Sequence, residues 1–254
     1  LHGASSSSVD YKLSLFDHLP EKYRLIAIDR PGLAHSERKF EKQKAFSGQL
    51  EVLHKAVKSL VDGPSYLVAH SLSGVIAARM LAEYPEDYLG FLGIAPALYP
   101  IGDGKSWYTV LSDLPLFGWF FRNALVPLAG PLIAPVLIDK NFHPNQAPDD
   151  YMRDSCLPLM FDSKKFLNNA YDLNLIRPYL DESYERYHKI KQPVSLIFGR
   201  QDQILASFSH AYGFRHKVPQ VKINMIEETG HLPHHFHQDL ISKELERITA
   251  EWPQ

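Results

Sequence analysis

Tyr66-Leu67-Val68-Ala69-His70-Ser71-Leu72-Ser73-Gly74-Val75-Ile76-Ala77-Ala78-Arg79-Met80-Leu81 decides how the rest of the chain is read. It begins as a short apolar run, passes through small and polar residues, and goes on as an apolar helical pattern. One hydroxyl, Ser71, sits at the crossing. This is the sequence form of a strand–turn–helix elbow that lifts a serine above a sheet. Strand and helix backbones crowd at such a turn, so the residues two before and two after the serine must be small. Glycine usually serves; here Ala69 and Ser73 stand instead. On these residues alone, an ordinary buried strand followed by a serine-capped helix remains an equal alternative.

Two later stretches bear on that choice. Val194-Ser195-Leu196-Ile197-Phe198-Gly199-Arg200-Gln201-Asp202 reads as a buried strand leading to a carboxylate. Ile223-Asn224-Met225-Ile226-Glu227-Glu228-Thr229-Gly230-His231 reads as a last strand followed by a histidine. Serine, then aspartate, then histidine, each at the carboxyl end of a strand, is the chain order of one type of catalytic triad. With Leu1-His2-Gly3-Ala4 and Asp29-Arg30-Pro31-Gly32-Leu33-Ala34-His35-Ser36-Glu37, these pieces make the chain resemble the α/β-hydrolase family over nearly its whole length. Each piece occurs by chance; five in the right order do not. The departures are Ala34, Ala69 and Ser73, where the family usually has glycine.

The 254 residues, 45% hydrophobic with a formal charge of −2, suit one large α/β domain carrying an insertion. No basic surface suggests nucleic acid, and no charge block suggests an acidic tail. The single cysteine, Cys156, excludes an internal disulfide and reads as a packed or surface thiol. The compartment and the oligomeric state stay open, with the cytoplasm as the default. In the family, His2-Gly3 directly follows a central strand, of which only Leu1 is present. An N-terminal truncation is therefore expected: without that strand, two neighbours would carry unpaired backbone groups, at roughly 1–3 kcal/mol each.

The expected architecture is a mostly parallel sheet covered by helices on both faces. A helix is expected over residues 8–19, ending before Pro20, and a strand over Arg24-Leu25-Ile26-Ala27-Ile28-Asp29. Asp29 and His35 read as turn-forming. Residues 46–61 form an amphipathic helix with Leu50, Leu53, Val57 and Leu60 on one face. The elbow helix stops before Pro85, and residues 88–95 make the next strand. After residue 187 come the strand before Asp202, a helix near 205–216, a strand at 221–226 and a helix over 238–252.

Between them the alternation breaks. The domain division follows: a first core part at 1–98, a helical cap at 99–187 in the place where the family inserts one, and a second core part at 188–254. The first half of the insertion is apolar, with Pro127, Pro131 and Pro135 at spacing four. That spacing argues against a straight membrane span, which wants about 20 uninterrupted apolar residues. Packing of the cap on the core is the leading expectation. An acyl-binding tunnel and weak contact with a lipid interface compete with it. The second half, 151–180, is amphipathic and helical.

A serine hydroxyl needs a base within hydrogen-bond reach and a third group to hold that base. Ser71 is the expected nucleophile, His231 the general base and then acid, and Asp202 the group that orients the imidazole. Asp87, Asp103 and Asp113 compete for the acid role, but only Asp202 ends a strand at the expected place. The resemblance implies oxyanion donors at the backbone N–H groups of Leu72 and Ala4, and pocket side chains at His2, Trp107, Phe117 and Phe120. His70 reads as structural. His234, His235 and His237 show no H-E-x-x-H pattern, so neither a metal nor any other cofactor is expected. A serine at 71 disfavours epoxide opening and dehalogenation, which use a carboxylate there. The expected activity is hydrolysis of a small-molecule carboxylic ester, with the apolar insertion leaning towards a lipid-like or medium-to-long acyl group. Amide or carbon–carbon cleavage by the same triad is the enzymatic alternative, and a non-catalytic ligand binder the other.

Overall fold

Four strands, β1 (Ser65–His70), β2 (Tyr88–Ile94), β3 (Val194–Gly199) and β4 (Lys222–Ile226), form one parallel sheet in that order in the computed structural model. The structure describes residues 1–39, 41–102 and 104–251. The helices are α1 (Val9–Ser14), α2 (Phe46–Leu60), α3 (Ser73–Glu83), α4 (Trp107–Asp113), α5 (Phe117–Phe120), α6 (Val126–Phe142), α7 (Tyr151–Asp154), α8 (Ser163–Tyr184), α9 (Ser207–Lys217) and α10 (Gln238–Glu251). Parallel neighbours need crossovers, and α3 and α9 supply them between β1 and β2 and between β3 and β4.

Both faces of the sheet are covered, which is why β3 is buried along its whole length. On one face Val75, Ile76, Met80 and Leu81 of α3 join Phe91, Leu196 and Phe198. On the other, Ile241, Leu245 and Ile248 of α10 meet Leu92, Ile94 and Ile197. The α/β class expected from the sequence is the observed one. Trp252, placed at the end of the last helix, lies outside the described residues, as does Asp103.

The expected strand over residues 24–29 is not one. It carries no ladder among the described residues; a cavity of about 340 Å³ is lined by residues 24–28 and by residues 65–68 of β1. A strand is a property of a pair, and an apolar run without a partner remains a loop. On the side of β1 away from β2, Leu1 pairs among the described residues: its amino group donates to the Val68 carbonyl at 2.6 Å, and its carbonyl accepts from His70 at 3.0 Å. Leu60, expected on the buried face of α2, is exposed.

Between β2 and β3 the described residues are helical or irregular. Two of the sequence expectations fail here. Pro131 and Pro135 lie inside α6 without ending it, so the described residues from Phe117 to Phe142 form one 26-residue helical stretch, long and apolar enough to cross a membrane. Nor is the apolar half covered by the core: most of its large side chains face solvent. Composition alone cannot say which face of an apolar helix finds a neighbour.

The amphipathic half is fastened firmly. Asp172 of α8, fully buried, accepts from Arg30 at 2.7 Å, Arg38 at 2.8 Å and Gln49 at 2.7 Å. Two guanidiniums and an amide satisfy one carboxylate, the condition under which a buried charge is tolerated.

Candidate active site

Three strand ends converge. Ser71 directly follows β1, Asp202 follows β3, and His231 follows β4. The Ser71 Oγ lies 2.9 Å from His231 Nε2, and His231 Nδ1 lies 2.7 Å from Asp202 Oδ2. With Nδ1–H donating to the carboxylate, Nε2 is free to accept from the hydroxyl. Burial alone would raise the Asp202 pKa. The His231 ring beside it outweighs that, together with the N–H groups of Leu205 and Ile204, and the carboxyl is held below its usual range. An ionised Asp202 is what keeps His231 in the tautomer a base needs.

The elbow's geometry follows from its residues. Ser71 adopts φ +52°, a region that non-glycine residues avoid and that persists where surrounding structure imposes it. Its N–H is tied to the Ile94 carbonyl at 3.1 Å, and its carbonyl accepts from Gly74 and Ala97 at 2.9 Å each. Gly3 crosses so near that a Cβ there would stand 2.9 Å from the Ser71 Cβ, so only glycine permits the approach. The N–H groups of Ala4 and Leu72, the donors expected from the sequence, each lie one residue beyond this close approach of Gly3 and Ser71. Among the described residues no hydrogen bond from either to another protein group is present, which leaves both open to an acceptor from outside the chain.

The sequence profile of the Alpha/beta hydrolase family matches residues 1–243. The chain belongs to the alpha/beta hydrolase family. The hydrolase class expected from the sequence stands with that membership. Among its relatives is the monoacylglycerol lipase ABHD6 of Homo sapiens, 24% identical over 237 residues that cover 91% of this chain and 68% of that one. The monoacylglycerol lipase abhd6-B of Xenopus laevis is 26% identical over 240 residues, with the same coverage. Among solved structures, the enol-lactonase from Burkholderia xenovorans LB400 superposes with a TM-score of 0.74 at 14% identity, covering 98% of this chain and 89% of that one.

The departures from the family's glycines have local explanations. Ser73 donates its hydroxyl to the His2 carbonyl, tying the N-terminal loop to the elbow helix in a way glycine cannot. Ala34 keeps the left-handed turn at φ +45°. His2, expected in a pocket, is instead buried: Nδ1–H donates to Gly3 and Nε2 accepts from the Arg30 N–H, both at 2.9 Å. Burial and the nearby Arg30 push its pKa down to about 3, so it is a neutral structural ring. Trp107, Phe117 and Phe120 stand exposed on the helical insertion rather than lining an enclosed pocket. Asp29 fits its turn-forming expectation, accepting from Ser8 and His35 N–H groups at 2.7 and 3.0 Å.

Sequence reasoning missed a second carboxylate. Asp10 of α1 is buried and accepts from His234 Nε2 at 2.8 Å, His235 Nε2 at 3.0 Å and the Tyr151 hydroxyl at 2.9 Å. These histidine nitrogens and the carboxylate lie within 4.8 Å of one another, a spacing a metal would also accept, but each is engaged here in a hydrogen bond. His70 packs between His231 and His234, with ring centroids 4.8 Å from each, and donates Nε2–H to the His231 carbonyl at 2.9 Å. Burial and the neighbouring imidazoles hold His70 well below its ordinary pKa. The backbone at His231 thus rests on a neutral ring. On the insertion side, the His231 N–H donates to the Asn141 carbonyl at 3.2 Å. Gly230 makes room for this contact, since a Cβ would lie 1.9 Å from the His143 carbonyl oxygen. An aspartate early in a helical pattern was the available signal for Asp10; its partners, more than 200 residues away in sequence for the histidines, were not.

Proposed function

We propose that this chain hydrolyses carboxylic esters of lipid-like compounds through an acyl-enzyme on Ser71. The 2.9 Å contact between the Ser71 hydroxyl and His231 Nε2, backed by Asp202, carries the proposal. As the Ser71 oxygen bonds to the ester carbonyl carbon, its proton passes to His231 Nε2. The carbonyl oxygen becomes an oxyanion facing the Leu72 and Ala4 N–H groups. Collapse breaks the bond to the alkoxy group, which leaves with the proton from His231. Water then enters, gives a proton to the same nitrogen, attacks the acyl carbon, and releases the acid as Ser71 regains its hydrogen. Asp202 stays ionised throughout and stabilises the imidazolium between steps.

The substrate class rests on the relatives, named monoacylglycerol lipase, and on the apolar helices between β2 and β3, which we read as a cap over the site. A fluorophosphonate probe should label the wild type and not Ser71→Ala, and nitrophenyl ester turnover should fall on the order of 10⁴–10⁶-fold in that variant. Labelling retained without Ser71 refutes the nucleophile. A rate that peaks at acetate and falls with acyl length refutes the lipid-like substrate.

A further inference from the structure

The six most exposed large apolar side chains among the described residues all lie between Trp107 and Val136. They are Leu116 (89%), Leu132 (79%), Leu128 (73%), Trp107 (69%), Val136 (68%) and Trp119 (63%). Large exposed apolar patches on soluble proteins mark interaction surfaces. We propose that this face docks on a lipid surface, lying in the interface rather than crossing it, and so presents the active site to ester dissolved in the lipid. This deepens the proposed function and rests on it for the ester, but not for the docking.

Three observations favour lipid over a protein partner. From Leu114 to Ile138 the only charged residue is Arg122, and its guanidinium is turned onto the Ser112 carbonyl. Over those residues the face offers a partner no free charge to pair; Asp113, exposed just before them, lies beside Tyr171. On α6, at 100° per residue, the exposed positions Leu128, Leu132, Ile133, Val136 and Leu137 span about half the circumference. A partner helix needs only a narrow seam, whereas a continuous apolar medium wets a broad arc. Trp107 and Trp119 stand open beside it, and indole rings favour the boundary between hydrocarbon and water.

The C-terminal end of α6 argues for lying in the surface. Asn141 holds the His231 N–H, and Phe142 is buried against Tyr151 and His235 at ring-centroid distances of 4.8 and 5.1 Å. A helix anchored beside the catalytic loop cannot also leave the molecule to span a bilayer. The same anchor makes the docking face continuous with the site.

Flotation with phosphatidylcholine vesicles, combined with ester turnover, tests this on the full chain. Wild type and Ser71→Ala should both float with the vesicles. The triple variant Leu128→Glu, Leu132→Glu, Val136→Glu should lose at least tenfold in bound fraction. Its turnover of a long-chain ester embedded in vesicles should fall at least tenfold, with soluble nitrophenyl acetate turnover and melting temperature unchanged. Vesicle binding that depends on the three residues, with no ester turnover in wild type, would uphold docking and refute the enzymatic proposal. Wild type that does not float overturns docking, as does a triple variant that floats like it. Equal losses on both esters would place these residues in the site itself, and a wild-type dimer dissociated by the triple variant without vesicle binding would identify a second copy as the occupant. Resistance of the bound protein to alkaline carbonate extraction would overturn the in-plane orientation.

Discussion

Helices α8 and α6 lie between the same two strands and sit on the molecule by opposite means. Helix α8 carries an ordinary mixture of charged and apolar residues, and buries Asp172 against two arginines of the core while Ile176, Tyr179 and Leu180 pack into the main cluster. Helix α6 is far more apolar, yet only Val126, Ala134 and Phe142 of it are buried. The more hydrophobic helix is the less covered one. Hydrophobicity supplies a drive to leave water, but the chain's own geometry decides whether protein is there to receive it. Polar fastening was used where position matters, next to the two loops that carry His2 and Arg30. The apolar surface was left for something outside the chain.

Breaking the fastened side should have the largest effect. Asp172→Ala leaves Arg30 and Arg38 as buried charges without their carboxylate, and should cost about 3–5 kcal/mol in urea unfolding. The loss should reach the oxyanion loop as well, because Arg30 also donates to the Gly3 carbonyl at 3.4 Å and to His2 through its backbone. Turnover in whatever remains folded should therefore drop. A cost under 1 kcal/mol would mean that α8 is held by its apolar contacts alone.

A second fastening point can be read through pH. His210 on α9 accepts from the N–H groups of Leu98 and Tyr99 at 3.1 and 3.0 Å, where the chain leaves β2 for the insertion. Burial, with a smaller opposing pull from Asp202, lowers its pKa to about 4. The unfolded chain, at the ordinary histidine value of about 6.5, binds the proton first as pH falls. Stability from this ring is thus complete above about pH 6.5 and is lost towards pH 4, at about 1.4 kcal/mol per pH unit and up to about 3 kcal/mol in all. Replacing it by glutamine, which keeps an acceptor but cannot titrate, should flatten the acid limb of stability against pH by that one-proton slope. Parallel curves for wild type and His210→Gln would show that the ring is not held neutral by the fold.

The same division explains what could be read from the sequence. That Ser71, Asp202 and His231 would lie near one another was legible because each follows a strand, and parallel strands bring their carboxyl ends to one edge. Asp172 and Asp10 were not, since a carboxylate in a helical pattern reads as a solvated face until its partner is known. Those partners are distant in sequence: Arg30 and Arg38 for one, His234 and His235 for the other. Residues 24–29 were misjudged for a related reason, because pairing is not encoded in one segment. The exposure of α6 was equally hidden. A run of leucines and prolines states how much apolar surface exists but not what lies opposite it.

The smallest effect belongs to the free side, and it is the sharpest test of the contrast. Leu132→Ser removes a large side chain from the middle of α6. With 79% of Leu132 exposed, little burial is lost, and the change should stay within about 0.5 kcal/mol by chemical denaturation of the dilute protein. Leucine is the better helix former, so what cost there is should come from helix propensity rather than packing. A loss of 2–3 kcal/mol, the size expected of a core leucine replaced by a small residue, would mean that α6 is packed in solution against surface absent from this structure. The distinction between a fastened half and a free half would then fail. If the loss instead grew with protein concentration, the missing surface would be another molecule of this chain, because only association makes stability depend on concentration.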